Sequence, residues 1–444
     1  MSNPERSKRH QIVIVGGGAG GLELATKLGD KLGRKQQADI TLIDAALTHL
    51  WKPLLHEVAA GTMNSYEDEL SYLAQAHWHH FYFRLGRVGD LDRERRVVST
   101  EPTLDEDGNV FIPSREFHYD TLVFAVGSET NDFGVEGVRE HCHFIDRRNQ
   151  ADAFHQHLLR CFYKAHTRTT DLRPGQLGIA IAGAGATGVE LAAELHDATH
   201  QLATFGLDGV NPDEDIQISI LEAAERVLPA LPERLTDQVT NQLHKLGVDV
   251  LTSERIVKAT AEGFHTESGH FIPAEIKVWA AGIKAPQFLA EIDGLETNRV
   301  NQLAVERTLQ TTRDENIFAI GDCAACPQDD GEFVPPRAQA AHQQAATLVK
   351  TIRRRLQNEP PLKYTYVDYG SLINLSRYTA VGNLMGGITR KWTGSVVIEG
   401  LMARLMYFSL YKMHQLALHG AARVIMTTIA NVLTRRAKPR MKLH

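Results

Sequence analysis

An α/β chain built from two similar strand–turn–helix units, closed by a basic helical C-terminal region, is what this sequence predicts. Three observations carry the reading. A glycine-rich turn framed by a β-rich run and a helix-like run occurs twice; each framed unit ends on an acidic residue; and the last 45 residues hold eight Lys/Arg and no Asp/Glu.

The first unit opens with the β-rich run 11–15, which passes directly into Gly16-Gly17-Gly18-Ala19-Gly20-Gly21 and then a helix-like stretch, 22–32. A second β-rich run, 40–43, ends in Asp44. This is the order of a Rossmann-like dinucleotide-binding unit. Gly16 allows the tight turn, Gly18 lets backbone approach a pyrophosphate, and Gly21 lets helix and strand pack closely. The helix N-terminus offers unpaired N–H groups and a positive dipole end to the phosphates, and Asp44 is placed to accept from a ribose diol.

The pattern recurs. The run 179–182 leads into Gly183-Ala184-Gly185-Ala186-Thr187-Gly188, a helix over 189–202, and a strand over 216–221 that ends in Glu222. The spacing from Gly183 to this acid exceeds the usual value of about 20 residues, and the segment 206–215 accounts for the excess as an inserted loop. With 35 glycines in 444 residues, chance gives about 0.2 matches to the three-glycine spacing. One match is therefore weak, whereas two correctly framed matches are strong.

Two buried-strand runs, 122–126 and 278–281, close on Gly127 and Gly282, where backbone must approach a bound nucleotide; a third, 317–320, runs into Gly321-Asp322. A carboxylate at the third suits the ribityl or pyrophosphate of a flavin dinucleotide. Because this last return follows both glycine-rich units, the second unit is expected to be inserted into the first. The expected division is a discontinuous first dinucleotide-binding domain over 1–165 and 297–350, a second over 166–296, and a C-terminal region over 351–444.

Composition narrows the function. Apolar residues make up 43% and charged residues 23% of the chain, ordinary for a globular protein with a sizeable core. Four cysteines in 444 residues cannot form a disulfide scaffold, and a reducing compartment is the expectation. Residues 1–10 have no apolar region of a secretory signal, and no uncharged run approaches the roughly 20 residues needed to span a bilayer. The net charge of −6 divides into −14 over residues 1–399 and +8 over 400–444. The acidic body argues against nucleic-acid binding.

On these motifs the chain resembles the two-dinucleotide-binding-domain flavoproteins, and within them the single-subunit type II NADH:quinone oxidoreductases of bacterial respiratory membranes. The resemblance lies in Leu42-Ile43-Asp44, the stretch from Leu50-Trp51-Lys52-Pro53 through Leu54-Leu55-His56-Glu57-Val58-Ala59, Gly185-Ala186-Thr187-Gly188-Val189-Glu190-Leu191, Trp279-Ala280-Ala281-Gly282, and Ala338-Gln339-Ala340-Ala341-His342-Gln343. It implies that the first site holds FAD, with Lys52 beside it, that the second holds NADH, and that a membrane quinone, ubiquinone above all, takes the electrons without proton pumping. Two positions depart from the family pattern: Val126 stands where many relatives carry Thr, and Tyr369 where many carry Lys.

The chemistry-bearing residues follow. Glu222 at the adenosine ribose pairs with a 2′-hydroxyl and repels a 2′-phosphate, favouring NADH over NADPH. Gln339 and Gln343 are spaced i, i+4, so a helix turns both from one face, where neutral amides suit quinone carbonyls; Gln344 lies off that face. Quinone reduction also consumes two protons, and Glu190 and Glu194, again i, i+4, are the first candidates to supply them, with His342 the third. The bland alternatives are a solvated Gln-rich helix and structural salt bridges. Cys323-x-x-Cys326 follows the flavin's polar end, where a reductase dithiol has no use, and reads as small buried residues. His77, His79 and His80 read as a solvated strand or turn, and no metal site is expected.

In the tail, a helical wheel places Arg404, Lys412, Gln415, His419 and Arg423 in one arc, with Met402, Met406, Leu410, Met413 and Ala417 opposite; Gly420 divides the run into two helices. Such a segment suits the plane of a membrane interface, with Arg435, Arg436, Lys438, Arg440 and Lys442 adding attraction to anionic lipid. It suits a homodimer contact as well. The expected attachment is peripheral, on the cytoplasmic face of a bacterial inner membrane. Two rivals stand beside the oxidoreductase: a sulfide:quinone oxidoreductase, which needs a cysteine pair at the flavin face, and an NAD-responsive flavoprotein sensor that turns over slowly.

Overall fold

A computed structural model describes residues 9–64, 69–105, 107–205, 209–329, 331–384, 396–434 and 442. The chain divides into two units, each assembled from separated segments.

The first unit comprises Met1–Trp51, Glu69–Glu129 and Ile283–Val367. Its centre is a six-stranded sheet in the order Gln310–Thr311, Asp314–Ala319, Thr121–Phe124, His10–Val15, Ala38–Asp44, Tyr82–Leu85. All neighbours are parallel except the antiparallel edge pair Gln310–Thr311 and Asp314–Ala319. The central strands are apolar without alternation, as strands covered on both faces must be, and Ile12 to Val15 and Leu122 to Phe124 are buried. Helix Ala19–Leu28 covers the sheet and packs against helix Ala338–Arg355. It starts three residues before the expected 22–32, because the glycine turn itself is its N-cap at Gly18. Its end opens into a π-helical turn, Gly29–Gly33. There a side chain at either glycine would collide with the carbonyl of His79 or His80, 1.9 and 2.1 Å from the added carbon.

The expected solvated strand or turn over His77, His79 and His80 is a helix end instead. His77 belongs to helix Tyr72–Trp78, His79 caps it and bonds Asp30 at 3.0 Å, and His80 turns the chain at φ +55° before the strand begins at Tyr82. Ser71 starts that helix by accepting from the backbone N–H of Ala74, a capping signal that outweighs alternation.

The second unit comprises Lys52–Asp68, Thr130–Gly282 and Asp368–His444. Its parallel sheet runs Asp249–Leu251, Gln217–Leu221, Gly178–Ala182, Ile276–Trp279. This repeats the order of four neighbouring strands of the first sheet, from Tyr82–Leu85 at its edge to Thr121–Phe124. Helix Ala186–Thr204 carries an apolar face with buried Val189, Leu191, Ala192, Leu195, Ala198 and Leu202, and helix Leu55–Ala60 packs against both it and helix Arg148–His166. Part of the expected loop over 206–215 is a helical turn, Pro212–Asp215, capped by the Asn211 side chain; residues 206–208 lie outside the described residues.

A three-stranded antiparallel sheet, Ser371–Leu375, Thr379–Leu384 and Val396–Glu399, packs against helix Ala186–Thr204 and against the tail helix Gly400–His419. Gly420, at φ +74°, separates that helix from Ala421–Thr434, as expected. The division into a basic and an apolar arc is not what folds. Tyr407 and Tyr411 are half-buried and Ala403, His414 and Leu418 are buried, while Leu401, Leu405, Phe408 and Leu416 are exposed within or beside the arc assigned to the cations. Arg404 is exposed and donates to the Ser376 carbonyl at 3.1 Å, a contact to the sheet that a wheel cannot see. The outer surface is correspondingly more apolar, from Leu401 (74% exposed) through Met402 and Met413 to Leu433 (75%). Arg435, Arg436, Lys438 and Arg440 lie outside the described residues. Lys442 is held: its N–H donates to the Gly61 carbonyl at 2.8 Å, its carbonyl meets His155 Nε2 at 2.9 Å, and its Nζ reaches Asp152 at 3.2 Å. No described helix is long and apolar enough to cross a membrane.

Candidate active site

The two glycine-rich turns adopt one geometry twice. Gly16 and Gly183 take φ +97° and +98°, which L side chains rarely adopt. A Cβ on Gly21 would lie 1.9 Å from the Gly16 carbonyl oxygen, and one on Gly188 2.0 Å from that of Gly183. The middle glycines face open space: Gly185 has nothing within 4 Å of such a carbon, and Gly18 a single atom at 3.9 Å. Both helices that follow lack a capping side chain at Gly18 and Gly185, so first-turn N–H groups remain to be satisfied from outside. The terminal acids correspond as well. Asp44 accepts from the N–H groups of Gly17 (2.6 Å) and Ala46 (2.8 Å), and Glu222 from those of Ala184 (2.7 Å) and Ala224 (2.9 Å). Each turn is thereby tied to the strand that the acid ends. A cradle whose first and third glycines are demanded by the protein and whose second is open fits a dinucleotide pyrophosphate.

In the first unit Gly127 turns at φ +70° with open space beside it, and the Asp322 carboxylate accepts from Ser128 Oγ at 2.8 Å. Helix Ala338–Arg355 carries Gln339, His342 and Gln343, all half-buried. Gln343 is committed in both directions to Val367, donating to its carbonyl at 2.8 Å and accepting from its N–H at 3.0 Å. The off-face Gln344 is buried and accepts from the Gly321 N–H at 2.6 Å. His342 Nδ1 pairs with Glu23, which Lys27 also contacts. Burial acts to raise the Glu23 pKa, but these two partners outweigh it and hold the carboxyl below its ordinary range.

In the second unit Lys52 lies 3.5 Å from Asp146, and Gly282 turns at φ +65° with the ring of Phe133 against it. The unit also gathers a buried acidic cluster. Glu190 and Glu194 project from helix Ala186–Thr204 toward helix Leu55–Ala60. Glu190 Oε1 accepts from the Asn374 N–H at 2.9 Å, and Oε2 lies 3.9 Å from His56 Nδ1. Glu194 Oε2 accepts from Thr62 Oγ1 at 2.9 Å. Burial, reinforced by neighbouring carboxylates, pushes Glu190 up to about 8 and Glu194 up to about 7, while burial pushes His56 down to about 4. Two carboxyls poised near neutrality in one cluster are equipped to hold and release protons. The phenol of Tyr407, from the tail helix, is raised by the same burial and carboxylates.

His56, Thr62, Asn374 and Tyr407 are the members that sequence reasoning missed. His56 lay inside the motif that carried the resemblance, but nothing in its spacing gave it a role, and the other three come from distant segments. Cys323 and Cys326 are free and buried, their thiols pushed by burial up to about 12 and about 11, the reverse of a reactive pair.

Residues 10–345 match the family model described as pyridine nucleotide-disulphide oxidoreductase, which sets the fold and its paired nucleotide cradles in a class of flavin-dependent oxidoreductases. The chain is 43% identical, over 98% of its length and 99% of the relative's, to a type II NADH:quinone oxidoreductase of Haemophilus influenzae. It is 31% identical, over 85% of its length and 90% of the relative's, to one of Staphylococcus aureus. Among solved structures, the NDH2 of Plasmodium falciparum in complex with NADH shares the fold at TM-score 0.81 and 19% identity, covering 98% of this chain and 100% of that one. The sulfide:quinone oxidoreductase of Aquifex aeolicus shares it at TM-score 0.72 and 17% identity, over 93% and 92% of the two chains. The chain belongs to the pyridine nucleotide-disulphide oxidoreductases and, within them, to the type II NADH:quinone oxidoreductases.

Proposed function

We infer that the protein oxidises NADH through FAD and passes two electrons to a quinone, without pumping protons. The observation that carries this is the duplicated cradle in a chain 43% identical to a type II NADH:quinone oxidoreductase throughout. When bound, FAD supplies the two-electron acceptor and donor that no side chain provides. The reading divides the chain into an FAD-binding domain over 1–165 and 297–350, an NADH-binding domain over 166–296 and an attachment region over 351–444.

In the first cradle Gly16, Gly18 and Gly21 admit the FAD pyrophosphate, Asp44 positions its ribose, and Gly127 and Asp322 complete its surroundings; Lys52 is assigned to FAD by the family resemblance alone. Gly183, Gly185, Gly188 and Gly282 receive NADH. The Glu222 carboxylate, held beside the turn by Ala184 and Ala224, accepts a 2′-hydroxyl and repels a 2′-phosphate. Gln339 and Gln343 bind quinone oxygens, Gln343 by exchanging its bonds to Val367. Glu190 and Glu194 deliver protons, with His342 the third candidate. Nucleotide proximity, rather than acid–base help, sets the hydride step.

Attachment to the cytoplasmic face of a bacterial inner membrane, through the apolar surface of helices 400–434 and the basic tail, gives the enzyme access to a hydrophobic quinone. The same surface serves a second copy of the chain in a homodimer. Flotation with anionic vesicles tests the attachment: Met402→Glu together with Met413→Glu is expected to abolish it while NADH still reduces the flavin. Single-turnover kinetics test the proton role. Glu190→Gln is expected to slow quinone-driven flavin reoxidation at least about tenfold and leave reduction by NADH intact; equal reoxidation rates would contradict it.

A further inference from the structure

We propose that His56, Glu57 and Glu194 form a binding site for a divalent transition-metal cation of the zinc class. Nothing in the sequence pattern announces it, because the three ligands come from a short helix and from a residue more than a hundred positions further along.

The geometry is that of a site needing little adjustment. One ligand atom from each of the three side chains lies within 4.8 Å of the others. A tetrahedral zinc with bonds of about 2.1 Å needs ligand atoms about 3.4 Å apart, a distance that small side-chain rotations reach. His56 is 2% exposed, and its Nε2 has no hydrogen-bond partner. A buried, unsatisfied ring nitrogen is costly, and a metal ion is the partner that such a nitrogen, set between two carboxylates, accommodates.

The surroundings are those of a ligating histidine. A ring N–H of His56 bonds the backbone of Pro53. With Nε2 unpartnered, that donor is Nδ1, and the bond leaves the Nε2 lone pair available. Metal-bound histidines use their other N–H in this way to fix ring and tautomer. Glu194 is supported likewise: Thr62 Oγ1 donates to its Oε2 at 2.9 Å, and the Ser376 hydroxyl also bonds this carboxyl. Thr62 is itself fixed by the turn that ends helix Leu55–Ala60, its N–H and hydroxyl both donating to the Glu57 carbonyl at 3.0 and 3.2 Å. Glu57 keeps 24% of its side chain exposed, which gives the ion an entry from solvent. Glu190 Oε2 stands 3.9 Å from His56 Nδ1, so a third carboxyl adjoins the imidazole.

With three protein ligands, a fourth position remains for water, as in exchangeable rather than structural zinc sites. Occupancy would fix Glu194 as a metal ligand and remove it as a proton donor. This consequence rests on the proton role proposed above; the binding itself does not.

Calorimetric titration of the FAD-loaded full-length protein with Zn2+ provides the test. Wild type is expected to bind one tight equivalent. Glu57→Gln, on a half-exposed side chain, is expected to weaken it about tenfold or more, and His56→Gln to abolish it. X-ray absorption at the zinc edge should show a nitrogen/oxygen shell with one imidazole, a readout that needs no variant to fold. Equal affinity in Glu57→Gln, sulfur in the shell, several imidazoles, or no stoichiometric binding would each overturn the site. Zn2+ is further expected to slow reoxidation by quinone and spare reduction by NADH. Binding at the site with unaltered reoxidation would keep the metal site and contradict the proton role of Glu194.

Discussion

The two nucleotide cradles share their backbone geometry and differ in what holds it. In the first unit the Gly17 carbonyl receives Tyr72 Oη at 2.8 Å and His49 Nδ1 at 2.9 Å, and a Cβ on Gly17 would strike the tyrosine ring. In the second the equivalent residue is Ala184, whose carbonyl accepts only a backbone bond among the described contacts, from the Leu228 N–H at 2.8 Å. One turn is clamped by buried aromatic side chains and the other by passing main chain. The comparison separates what a dinucleotide requires, which is identical in the two units, from what each unit adds to stabilise it. A tightly retained cofactor fits the clamped turn, and an exchanging substrate fits the simpler one.

The largest expected effect breaks the shared part. Gly21→Ala and Gly188→Ala place a methyl about 2 Å from a carbonyl oxygen and should destabilise the protein by about 3 kcal/mol or more. Gly21→Ala is expected to purify without visible flavin absorbance, and Gly188→Ala to keep flavin that NADH fails to reduce. Gly185→Ala meets open space and should keep its melting temperature while weakening NADH binding. Equal melting temperatures for Gly185→Ala and Gly188→Ala would contradict the assignment of the three glycines.

Much of this was legible in the sequence, because glycine spacing, terminal acids and apolar runs are local consequences of the cradle. The break at Gly420 was legible for the same reason. The clamp was not: Tyr72 and His49 reach Gly17 from segments 55 and 32 residues away. The acidic cluster was half legible. Glu190 and Glu194 follow from helical spacing, but His56, Asn374 and Tyr407 meet them through packing that no periodicity encodes. The tail misled for a related reason, since packing on the sheet buries Ala403, His414 and Leu418 and leaves Leu401, Leu405 and Phe408 exposed among the cations. Spacing presents Gln343 as open to a ligand, whereas Val367 occupies its amide.

Smaller effects sharpen the contrast. Glu222→Ala removes the tie to Ala184 and the repulsion of a 2′-phosphate; the KM for NADH should rise about tenfold, and discrimination against NADPH should narrow, as steady-state kinetics would show. Tyr72→Phe removes one of two side-chain bonds to Gly17 and should cost about 1 kcal/mol, read as faster loss of flavin in mild denaturant with an unchanged KM for NADH. An altered KM and unaltered flavin retention would reverse the proposed division between clamped and exchanging sites.

The smallest effect concerns pH. Burial, reinforced by His157 and Lys277, pushes His143 down to about 4 from an ordinary 6.5. The unfolded chain therefore takes up the extra proton between those values, so the stability is complete above 6.5 and is lost as pH falls toward 4. His143→Gln should flatten that acid limb by on the order of 1 kcal/mol, after allowance for partial exposure, measured by denaturant melts from pH 7 to 4.

Anaerobic absorbance of the purified protein tests the central claim most directly. NADH should bleach the visible flavin band, and a short-chain ubiquinone added next should restore it within seconds. Bleaching that quinone fails to reverse would contradict the quinone oxidoreductase and leave the cradles serving a slow NADH-responsive flavoprotein.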